Sequence, residues 1–106
     1  MDRDQNLEMA SFELIAASGA ARSIAMEAIK TAREGDIPGA KAKLDESQET
    51  IAAAHEVQHA VMDLEALEER VSVDPLFVHA QTHVMSCLVT QDLAEEFVAL
   101  YEKINA

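Results

Sequence analysis

Residues 32–40 read AREGDIPGA, and this stretch decides the fold. Gly35 is placed to end a helix in the left-handed conformation that a side chain resists. Asp36 follows as the cap of a second helix, and Pro38 is tolerated in that helix's first turn, where its missing N–H is not needed. The stretch VSVDPLF, residues 71–77, repeats the starting half of the device, with Asp74 as an N-cap carboxylate and Pro75 as the first helical residue. The chain of 106 residues holds only 3 glycines and 2 prolines, and all but Gly19 fall at these two breaks. They separate three segments without strand-like alternation.

Each segment carries apolar residues at helical spacing. Phe12, Ile15, Gly19, Met26, Ile29 and Ala32 mark one face over about 7–34. Leu44, Ile51, Ala54, Val61 and Met62 mark a second over about 37–69, fading in the charged stretch before Arg70. Phe77, Ala80, Val84, Leu88, Phe97, Tyr101 and Ile104 mark a third over about 75–105. Short connections make neighbouring helices antiparallel, so the expected fold is all-α, an up-down-up three-helix bundle forming one domain over 1–106. RVSVD, residues 70–74, fits an ordered loop and a mobile one equally. Alanine occurs 19 times and aromatics make up 4%, which suits closely packed helices and not a β-sandwich. Gly19, inside the first helix, is expected to mark a close helix contact with no room for a Cβ. Arg22 follows with Ser23 one turn later and is expected to pair with a carboxylate, with a direct role in a site as the alternative.

Acidic residues outnumber basic ones 20 to 8, giving a net charge of -12. That opposes binding to nucleic acid or to an anionic membrane surface. A hydrophobic content of 49% excludes a disordered chain. The single cysteine, Cys87, allows no intrachain disulfide and reads as a core filler. No apolar run approaches the roughly 18 residues of a membrane span, and MDRDQNLEM lacks the order of a signal peptide. A soluble cytoplasmic protein, without membrane insertion, is expected.

The 4 histidines form two i,i+4 pairs, His55 with His59 and His79 with His83. Each pair shares a helix face. Three readings compete: a transition-metal clamp of the zinc type, partly buried histidines satisfied by their neighbours, and nucleophilic chemistry in which a neutral imidazole accepts and passes on a phosphoryl group. For His55 and His59 the structural reading is the better one. His79 lies four residues after Pro75, where the positive end of the helix dipole favours a phosphorylated histidine. At that depth its own N–H is already in the helix ladder, so phosphoryl oxygens need side-chain donors or another chain.

The string VHAQTHVM, residues 78–85, resembles the VHAQDHLM signature of the lactose/cellobiose-type IIA components of the bacterial phosphoenolpyruvate-dependent sugar phosphotransferase system. SGAARSIAMEAIKTAREGDIPGA, residues 18–40, is similar to the G-x-A-R-S…EAL…A-x-x-GD-x-x-A segment of that family, and AHEVQHAV, residues 54–61, to its A-H-x-x-Q. LAEEFVALYEKI, residues 93–104, closes the third helix as the family does.

The resemblance implies a protomer that trimerises into a nine-helix bundle, with a phosphohistidine at His79. It implies a cytoplasmic relay in which the histidine phosphocarrier protein donates and a cysteine of a IIB domain receives, while a membrane IIC component moves the disaccharide. Gln81 and His83 become supporting residues: His83 donates to the phosphoryl group or orients His79, and Gln81, on roughly the opposite side of the helix, meets another helix or subunit. The family has Asp where this chain has Thr82, and three such aspartates hold a shared cation on the trimer axis. A neutral hydroxyl is a poor ligand for magnesium, so no metal and no other cofactor is expected. The rival reading is a non-catalytic helical regulatory or interaction module of the same fold, and a histidine metal-binding bundle is the third.

Overall fold

The structure is a computed structural model that describes residues 3–67 and 74–106. It consists of three helices, α1 (Arg3–Arg33), α2 (Ile37–Leu67) and α3 (Pro75–Ile104). Helix α1 begins about a turn before the expected residue 7, because Leu7 and Ala10 are already buried and anchor its first turns. RVSVD and the expected last residues of the second helix lie outside the described residues, apart from Asp74.

The breaks form as their residues dictate. Gly35 has φ 98°. Its N–H donates to the Ala32 carbonyl at 3.0 Å and the Asp36 N–H to the Thr31 carbonyl at 3.1 Å, which closes α1 in a Schellman motif. The Asp36 carboxylate then accepts from the Gly39 N–H at 2.9 Å, so one residue serves both helices. A Cβ on Gly39 would collide with that carboxylate. Asp74 likewise accepts from the Phe77 N–H at 2.9 Å, with Pro75 behind it as the first helical residue.

Helix α1 packs along both α2 and α3, whereas α2 and α3 meet over a short stretch. Two apolar clusters result. One joins Leu14, Ile51, Val84 and Cys87, and the other joins Ala28, Ala32, Ala40 and Val98. A polar link ties all three helices together through the buried Ser47. Its hydroxyl donates to the Ala21 carbonyl at 2.6 Å and accepts from Gln91 Nε2 at 2.8 Å. The chain forms a rod of 54 × 21 × 18 Å.

The stripe expected on the first helix only partly faces the core. Phe12 is 55% and Met26 44% exposed, and the buried face is Leu14, Ala21, Ala25, Ala28 and Ala32 instead. Alanine builds that face because α1 sits between two neighbours and must approach both. Gly19 is exposed, and a Cβ added there would meet nothing within 4 Å, so it marks no helix contact within the protomer. No helix among the described residues is long and apolar enough to cross a membrane.

Candidate functional site

The cap at Asp74 fixes the start of α3 and so the direction in which its first turns project. His79 and His83 then fall one turn apart. Their Nε2 atoms are 3.2 Å apart and their rings meet edge to face, with centroids at 4.8 Å. One nitrogen donates and the other accepts. Thr82, on the same turn, donates its hydroxyl to the His79 carbonyl at 2.6 Å.

These residues form one wall of an open concavity of about 550 Å³ between α3 and α1. Ser18, Gly19, Arg22 and Ser23 line the α1 side; His79, Thr82, His83 and Ser86 line the α3 side. No carboxylate is among these eight, although the chain has 20 acidic residues. The lining is one guanidinium, two imidazoles and four hydroxyls. Its field therefore suits an anion.

Arg22 is exposed and forms no ion pair among the described residues, contrary to the expected carboxylate partner. No acidic side chain lines the concavity to meet it. Ser18 is buried and its hydroxyl has no hydrogen-bond partner among the described residues. Cys87 is buried on α3. Burial pushes its thiol above the ordinary range, while the Arg22 guanidinium pulls the other way.

The structure brings His79, Thr82 and His83 together but leaves Gln81 outside the concavity. Gln81 accepts instead from Gln58 Nε2 on α2, so its partner within the protomer is another helix. His55 and His59 lie on α2 with ring centroids 5.8 Å apart, away from the concavity. Among the described residues no three His, Cys, Asp or Glu side chains converge where a metal ion would sit. The α1 wall was only partly legible: SGAARS stands out as a motif, and the i,i+4 spacing of Ser18 with Arg22 and of Gly19 with Ser23 puts these residues on one face. Which helix that face meets is not written in the spacing.

Residues 9–102 match the family described as PTS system, Lactose/Cellobiose specific IIA subunit. Over 102 residues the chain is 39% identical to the lichenan-specific phosphotransferase enzyme IIA component of Bacillus subtilis, covering 96% of this chain and 93% of that protein. Its fold is similar to the PTS cellobiose-specific enzyme IIA from Bacillus anthracis, with a TM-score of 0.87, 36% identity, and coverage of 98% of this chain and 93% of that one. It is also similar to a chain of the IIA(chitobiose)–HPr complex of Escherichia coli, with a TM-score of 0.85, 39% identity, and coverage of 94% and 97%. The signature around His79, the three-helix architecture and these likenesses agree: the chain belongs to the lactose/cellobiose-specific IIA subunits of the sugar phosphotransferase system.

Proposed function

We propose that His79 is the phosphoryl carrier of this IIA component, taking the group from the histidine phosphocarrier protein and yielding it to a cysteine of a IIB domain in the cytoplasm during disaccharide uptake. The observation that carries this reading is the contact of His79 with His83 at the edge of a concavity free of carboxylates. When His83 donates its Nε2–H, the acceptor is the lone pair of His79 Nε2, and loosening that hydrogen bond frees the pair. That pair attacks phosphorus, the donor's P–N bond breaks, and its electrons return to the donor imidazole. The His79 ring and the donor imidazole each keep the proton on the nitrogen not bonded to phosphorus, so the step needs no net proton transfer. The His83 N–H, released from the lone pair, donates to a phosphoryl oxygen. In the second step a cysteine thiolate attacks the same phosphorus and the His79 P–N bond breaks.

The active form in this reading is a trimer assembled along α3. Val78, Met85, Val89, Leu93, Leu100 and Ile104 form an exposed apolar ridge on that helix. The accessible surface is 6749 Å², against about 5,800 Å² for a typical monomer of this mass. Burying the ridge covers part of that excess. Thr82 stands on the ridge between Val78 and Met85. The residues do not fit a shared divalent cation there, since Thr82 offers only a neutral hydroxyl where magnesium is held by carboxylates and water. The carrier therefore needs no metal.

The test is incubation of the chain with phosphoenolpyruvate and the general phosphotransfer proteins, then addition of a IIB domain, with intact mass followed throughout. One acid-labile phosphoryl group should be gained and then lost to IIB. No gain in mass would leave the interaction-module reading in its place.

A further inference from the structure

We propose that Arg22, with the hydroxyls of Ser18 and Ser23, is the phosphoryl-holding wall of the site, receiving the dianion while it is bonded to His79. The inference rests on the phosphocarrier reading and adds residues that supply the oxygens' partners. His79 is the fifth residue of α3, so the free N–H groups of the first turn are already behind it. The three terminal oxygens then need side-chain donors, and α3 itself offers His83 and Ser86 within the concavity.

The opposite wall has what is missing. Arg22 is a guanidinium without an ion-pair partner among the described residues, in a chain of net charge -12. A guanidinium presents a fork of N–H donors that matches phosphate oxygens. Ser18 Oγ is buried, with the residue 1% exposed, and has no hydrogen-bond partner among the described residues. Such a group is ordinarily satisfied, and here it lines the concavity. Gly19, between them in sequence, leaves its side of the concavity clear, with nothing within 4 Å of where a Cβ would stand. The wall is also held in register: the carbonyl of Ala21, next to Arg22, accepts from the buried Ser47.

The volume of about 550 Å³ leaves room for a partner's side chain beside the phosphoryl group, as in-line transfer demands. Arg22 then acts on the carried state. It stabilises the dianion on His79 relative to the same group on the donor, and its pull on the phosphoryl group is strongest when that group is fully ionised.

The test compares wild type with Arg22→Gln, Arg22→Lys and Ser18→Ala, using Lys43→Gln as a control that removes one positive charge elsewhere. Two quantities are read: the equilibrium of phosphoryl transfer from the histidine phosphocarrier protein, and the second ionisation of the bound phosphoryl group by phosphorus NMR against pH. Arg22→Gln should shift the equilibrium toward the donor about tenfold or more and raise the phosphoryl pKa. Arg22→Lys should recover part of both, Ser18→Ala should shift the equilibrium without loss of thermal stability, and Lys43→Gln should change neither. An equilibrium and a phosphorus titration unchanged in Arg22→Gln overturn the proposal. If the wild-type chain takes no label, the phosphocarrier reading fails instead. The wall is then decided by titrating the unphosphorylated chain with inorganic phosphate and following the backbone amide resonances of Gly19 and Ser23, which line the same wall. A saturable shift lost in Arg22→Gln supports the anion wall, and no saturable shift overturns it.

Discussion

The hydroxyl of Thr82 donates to the carbonyl oxygen of His79, 2.6 Å away and one turn back along α3. The contact does two things at once. It satisfies a polar group in the middle of an apolar ridge, and it ties the ridge to the turn that presents the candidate nucleophile. A carboxylate at the same position would instead bring a charge to every copy of the ridge.

Assembly should therefore survive chelation. Sedimentation of the unmutated chain should be the same with EDTA and with added magnesium. Thr82→Asp should weaken the metal-free assembly and make it respond to magnesium, more strongly as pH rises above the ordinary carboxylate range, because clustered carboxylates repel unless a cation offsets them. Dissociation of the unmutated assembly by EDTA alone would contradict this.

The ridge itself should hold the trimer. Leu93 is 53% exposed in the single chain, so covering what remains is worth roughly half the value of a fully buried leucine, about 1 kcal/mol per copy. Light scattering should give about three times the 11.6 kDa chain mass. Leu93→Lys should shift the population to monomer, with helical circular dichroism largely kept.

Both helix breaks were legible because their chemistry is local. Asp36 and Asp74 reach the N–H groups of Gly39 and Phe77, three residues on, whatever the rest of the chain does. The faces were less legible. Phe12 and Met26 are apolar at helical spacing and read as core, yet both point out of the protomer. Periodicity finds an apolar face without saying whether its neighbour is in the same chain. Gly19 misled for a related reason, since an absent side chain signals close approach and open space alike. The histidine pair followed from i,i+4 spacing, but the facing of Arg22 across the concavity depends on the rotation of α1 between two helices.

The polar link through Ser47 should contribute to stability out of proportion to its size. Ser47→Ala removes the acceptor of Gln91 Nε2 and leaves that buried amide without its partner. The expected loss is about 1–3 kcal/mol, read by urea unfolding at fixed protein concentration. Replacing Gln91 together with Ser47 by apolar residues should recover part of it.

Cys87 gives a pH signature. Its thiol is pushed up from 9.0 by burial, so the unfolded chain ionises it before the folded chain does. The stability it contributes is full below the unfolded value and is lost as pH rises through the folded one. Native protein should resist alkylation at pH 8, and Cys87→Ala should flatten the alkaline decline in unfolding free energy.

The most direct measurement is relay phosphorylation of the wild type, His79→Ala and His83→Ala side by side, read by intact mass. The account predicts one acid-labile phosphoryl group on the wild type, none on His79→Ala, and slower gain of the same single group on His83→Ala. Equal labelling of His79→Ala would place the nucleophile elsewhere and contradict the account.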